Sequence, residues 1–161
     1  MKLFFSLVLL INFFSNPELS EIRKLYLNAV NSESLSKELF SKLACITNDD
    51  NKTLLAYKGA SIILLSKSAK KVADKTKAFK EGAKLVEFAV ANEPNAIEIR
   101  LIRLSIQENV PKIVKYNKNI KEDKHFILTH YKEQSAALKE YVKNFIMQSK
   151  SFSAIEKQTV K

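Results

Sequence analysis

The stretch NEPNAIEIRLIRLSIQENVP, residues 92–111, decides how this chain is read. Pro94 and Pro111 bracket it, and between them runs a glycine-free segment with helical rhythm. Asn95, with Glu98 three residues later, has the form of a capping pair for a helix that starts there. A helix advances about 100° per residue. On that wheel Ile97, Leu101 and Leu104 share one flank, and Ile99, Ile102 and Ile106 lie nearly opposite. Arg100, Arg103 and Gln107 line one polar edge between the flanks, and Glu98 and Ser105 line the other. A surface helix shows one apolar stripe; two opposed stripes predict a helix clasped from both sides at the centre of the fold.

That helix also holds two of the chain's three arginines, while every other cationic side chain except Arg23 is lysine. A guanidinium lies flat against packed neighbours and makes fixed, two-pronged hydrogen bonds, which a flexible ammonium does not. Two readings follow. Arg100 and Arg103 pair with carboxylates such as Glu87 or Glu98 and staple adjacent helices, the commoner fate of arginine on a buried edge. Or Arg100, Arg103 and Gln107, with Glu98 and Tyr116 nearby, line a groove that grips an acidic side chain or chain terminus of a protein or peptide partner.

The rest of the chain fits an all-α fold. Gly 2 and Pro 3 in 161 residues are too few for the turns of a β-rich or doubly wound fold, and no glycine-rich phosphate loop is present. The length suits one domain. Apolar residues recur at helical spacing over 19–30, 36–46, 52–69, roughly 75–91 and 134–149, with 112–133 as one bent or two abutting helices. The total is six to seven antiparallel helices. The lysine-rich run 66–77 reads as a loop or frayed helix end, and the tail 150–161 as frayed. Cys45 follows Leu43 and Ala44 on an apolar run and reads as a small buried hydrophobe.

Ahead of this domain, assigned to residues 16–149, stands MKLFFSLVLLINFFSNPE: Lys2, then an apolar run from Leu3 to Ile11, then a polar break. The run is shorter than the roughly 20 apolar residues a membrane-spanning helix needs, and its order is that of a secretory signal. Residues 1–15 are therefore expected to be a signal with cleavage after about Ser15, or else an uncleaved anchor. Either places the domain in the periplasm or outside the cell.

Two resemblances add to this reading. Gly82, Val86, Ala89, Pro94 and Asn95 resemble the closing half of a tetratricopeptide repeat, and LAYKGAS (55–61) is loosely similar to its opening half. The likeness covers about one repeat and implies a stack of helix hairpins. It breaks at Arg100, Arg103 and Gln107, where the repeat carries apolar and tyrosine positions. KAFKEGAKLVEFAVANEPNAIEIRLIRLSIQENVPKIVKYNKNI is similar to uncharacterised exported proteins of the Bacteroidota, which implies an extracytoplasmic location and no particular activity.

Chemistry is sparse. His125 and His130 are five residues apart and do not share a helix face, so no paired metal site is expected, and no cofactor is either. Glu122, Asp123, Asp49 and Asp50 read as helix-start and turn charges. A net charge of +10 spread over lysines reads as a solvated surface rather than a nucleic-acid interface. Lys67, Lys70, Lys71, Lys75 and Lys77 could still touch an anionic membrane. The expected function is a non-catalytic interaction module. Its alternative is a small enzyme or ligand carrier whose site is assembled from Tyr57, Glu98, Arg100 and Tyr116.

Overall fold

The computed structural model describes residues 18–160. The expected signal, residues 1–15, lies outside the described residues. Eight α-helices and two 3₁₀ turns make up the fold, with no strand among the described residues. In chain order they are α1 (Leu19–Ala29), α2 (Glu33–Lys42), α3 (Lys52–Ser66), α4 (Val72–Asn92), α5 (Ile97–Asn109), a 3₁₀ turn (Lys112–Val114), α6 (Ile120–His130), a second 3₁₀ turn (Tyr131–Glu133), α7 (Ala136–Gln148) and α8 (Ala154–Gln158). Several starts follow from one polar side chain each. Ser32, Asn51 and Ser135 accept from the backbone N–H groups of Leu35, Leu54 and Leu138 and so satisfy otherwise orphaned donors.

The first four helices build one core around α3, which is buried over most of its surface. α3 and α4 cross at their two glycines, the only two in the chain. A Cβ on Gly59 would stand 2.5 Å from the Gly82 carbonyl oxygen and 2.9 Å from Val86. The two backbones therefore approach closely where neither helix carries a Cβ. Helices α6 to α8 build a second core.

Between these cores lies α5, with every residue from 97 to 106 buried. Ile99, Ile102 and Ile106 belong to the first core, and Ile97, Leu101 and Leu104 to the second. The two flanks seen on the helical wheel are the faces presented to the two halves of the protein. Each of these six side chains contributes on the order of 2 kcal/mol of transfer free energy, before chain entropy is subtracted.

Several local expectations are corrected. The lysine-rich break spans only 67–71, because α4 begins at Val72 rather than near Lys75. Asn95 does not cap α5; Ala96 occupies that position without a side-chain bond, and the Glu98 carboxylate is used elsewhere. Residues 112–119 do not continue a helix: a 3₁₀ turn is followed by Lys115 in the left-handed region, at φ 55°. Cys45 is exposed, because α2 stops at Lys42 and the chain turns through residues 43–45. The tail is ordered. Phe152 and Val160 are buried in the second core, and α8 opens with a reciprocal cap between Ser153 and Glu156.

Candidate functional site

Because α5 carries polar residues on both edges, each edge becomes a polar seam between the two cores. The Arg100 edge faces α4 and α6. Arg103 donates from Nε to Asp123 Oδ2 at 2.7 Å, from Nη2 to Asp123 Oδ1 at 2.6 Å, and from Nη1 to Glu87 Oε2 at 3.0 Å. Arg100 donates from Nε to the Pro94 carbonyl at 2.6 Å and from Nη1 to Glu122 Oε1 and Asp123 Oδ1, at 2.7 and 3.0 Å. Its guanidinium also lies 4.4 Å above the Phe126 ring. Burial alone would lower the Arg103 pKa; the Asp123 carboxylate and then Glu87 outweigh it and hold the pKa above the ordinary value. Glu122 is held below the usual carboxylate range by the hydrogen bond from Arg100.

This seam is a staple. Arg100, Arg103 and Gln107 are buried under α6, so the groove expected along their edge is closed by the chain's own helix. Gln107 donates to Asn119 Oδ1 at 3.3 Å, while its Oε1 has no partner among the described residues. Tyr116 donates to Glu87 Oε1 at 2.6 Å and sets its ring edge-on to Phe79; burial, then Glu87, pushes its pKa up.

The opposite edge faces α1, α3 and α7. Glu98 accepts from Arg23 Nε on Oε1 at 2.7 Å and from Arg23 Nη2 on Oε2 at 2.6 Å. Tyr57 donates to Glu98 Oε1 at 2.8 Å, and its hydroxyl lies 3.1 Å from that of Tyr141. The Arg23 pKa is raised chiefly by the hydrogen bond to Glu98, against the opposing effect of burial. Desolvation pushes Tyr57 and Tyr141 well up, so both hydroxyls stay protonated at neutral pH. Nearly two turns of α5 further on, Ser105 shares a 2.7 Å hydrogen bond with Tyr26, whose pKa burial raises to about 12.

The four residues of the expected alternative site therefore divide. Tyr57 and Glu98 meet on one edge; Arg100 and Tyr116 sit on the other, with α5 between them. Sequence reasoning missed Arg23, Tyr141 and Asp123. A signal for the first was present: all three arginines of the chain end in buried or half-buried ion pairs.

Beyond Ser105 the second seam opens into a cleft of about 330 Å³. It is lined by Ser105, Ile106 and Asn109 of α5, by Leu27 of α1 and Val30 just after it, by Ile63 and Leu64 of α3, and by Phe145 of α7. Glu108 fixes the α7 side, accepting from the Ser149 and Ser151 hydroxyls at 2.6 and 2.8 Å. Lys67 and Lys150 stand at the rim. Among the described residues no group of His, Cys, Asp or Glu is arranged to hold a metal ion, and no helix is long and apolar enough to cross a membrane.

The chain matches no protein-family model, and neither a curated protein nor a solved structure matches it.

Proposed function

We propose that the protein is an exported, non-catalytic helical interaction module that takes an apolar side chain or short segment of a protein or peptide partner in the cleft on the Ser105 edge of α5. The observation that carries this reading is Leu27. It is 49% exposed and lines the cleft together with Val30, Ile106 and Phe145, where a partner side chain would cover it. On this reading the helix after Pro94 supplies the binding surface through its Ser105 edge, whereas the sequence pointed to its arginine edge. Glu108, Lys67 and Lys150 around the rim supply polar contacts for the partner's backbone or ends. Export rests on Lys2, the apolar run from Leu3 to Ile11 and the polar break after it. The antiparallel α3–α4 pair, closed at Gly82, accords with a tetratricopeptide-like hairpin.

Selection of random peptides against the folded domain tests the reading. Enriched peptides should carry an aliphatic or aromatic anchor and lose about tenfold or more in affinity for a Leu27→Glu variant. Peptides that bind this variant as well as the parent protein, or no enrichment at all, would overturn it.

A further inference from the structure

The end of the molecule where α3 finishes and α4 begins carries side chains that no other described residue covers or pairs with. From the Gly59–Gly82 crossing, α3 runs seven residues on to Ser66, whereas α4 reaches back ten residues to Val72. At about 1.5 Å per residue, α4 overhangs its partner by nearly one turn. Every residue from 70 to 77 is exposed.

α5 finishes at this same end, because α4 and α5 run antiparallel: Arg103 meets Glu87, and Tyr116, just past α5, packs on Phe79. The intervening loop is pinned by Tyr116, and Lys115 adopts a left-handed conformation that disfavours any side chain. Yet this pinned loop holds Ile113 out in water, 87% exposed, and Val72 on the overhang is 78% exposed. Lys70, Lys71, Lys75, Lys112 and Lys115 are close to them in the chain and exposed, with no ion pair to an acidic group among the described residues. Asp74 is the only acidic residue in the run 66–77.

Aliphatic tips set among unpaired ammonium groups match a bilayer surface in chemistry. Lysines meet anionic headgroups, and the aliphatic tips enter the acyl boundary. Nucleic acid is a poorer fit: all three arginines are tied up in ion pairs, and Val72 and Ile113 offer nothing to phosphates or base faces. We infer that this end docks the protein on an anionic phospholipid bilayer, with Val72 and Ile113 as the inserted tips and the surrounding lysines as the electrostatic contact. The inference does not depend on the cleft, whose walls are other residues.

The chain for this test begins at Asn16, after the expected cleavage point, because the apolar N-terminal run would bind vesicles by itself; a helical circular-dichroism spectrum and a cooperative thermal transition check that it is folded. This chain should sediment at low salt with vesicles of phosphatidylglycerol and phosphatidylcholine, and not with phosphatidylcholine alone. Val72→Ser with Ile113→Ser changes no charge and touches only exposed positions; it should weaken binding about tenfold. Lys71→Glu with Lys75→Glu should weaken it by about tenfold or more. Absence of binding to the anionic vesicles overturns the inference. So does a serine pair that binds as well as the parent, with duplex DNA bound equally tightly, which would mark a generic polyanion surface.

Discussion

Arg103 and Asp123 close a two-pronged pair across the α5–α6 interface, Nε to Oδ2 at 2.7 Å and Nη2 to Oδ1 at 2.6 Å, with the carboxylate wholly removed from solvent. Arg100 donates to the same Asp123 oxygen at 3.0 Å. One carboxylate thus receives both guanidiniums of α5, and Glu122 and Glu87 each accept one further hydrogen bond, from Arg100 and Arg103 respectively.

Removing Asp123 leaves two buried cations without their shared partner. Asp123→Ala should cost about 3–5 kcal/mol, read as a shift in the urea midpoint at unchanged slope. Replacing Arg100, Arg103 and Asp123 together by apolar residues of similar volume should cost far less, since desolvation of the whole cluster is then avoided. A single variant within about 0.5 kcal/mol of the parent would show that the seam does not hold the two halves together.

The glycine crossing gives a prediction of sign. In an exposed helix, glycine to alanine stabilises by about 1 kcal/mol. At Gly59 the added carbon meets the Gly82 carbonyl oxygen at 2.5 Å, and that atom belongs to backbone, which cannot swing away. Gly59→Ala should therefore destabilise, by about 1–3 kcal/mol, as α3 and α4 are forced apart. An unchanged or raised melting temperature would contradict the crossing.

Acid should release the C-terminal helix before the rest. The backbone N–H of Ser153, then Lys124, hold the Glu156 carboxyl at about 2, below its ordinary 4.5. Because the folded value is the depressed one, the stabilisation is complete above pH 4.5 and is lost as pH falls towards 2. Amide exchange in α8 should accelerate across that window, and Glu156→Gln should flatten the dependence. Exchange in α8 that tracks the remainder of the second core at every pH would count against it.

How much of this was legible beforehand differs from element to element. The two flanks of α5 were visible because eleven residues of helical periodicity fix relative angles without reference to anything else. The ends of elements were less visible. Cys45 moved from a helix face to an exposed turn because α2 ended a few residues early, and one missing turn changes which side chains are covered. Phe152 and Val160 were read as a frayed tail because their partners, Ile127 and Ile146 among the same core, lie in other helices and leave no local pattern.

Composition and periodicity by themselves determined an all-helical chain, the central helix with its two apolar faces, and the placing of Arg100, Arg103 and Gln107 on one edge. Tertiary structure alone decided what each edge meets. Asp123 could as well have served the dipole of its own helix; the crossing of α6 over α5 brought it to Arg103. That crossing made one edge a staple, and on the other edge the packing of α1, α3 and α7 left a cleft beyond Ser105. Hydrophobic rhythm is a property of a single segment, whereas the pairing of charges depends on where a second segment is laid against it.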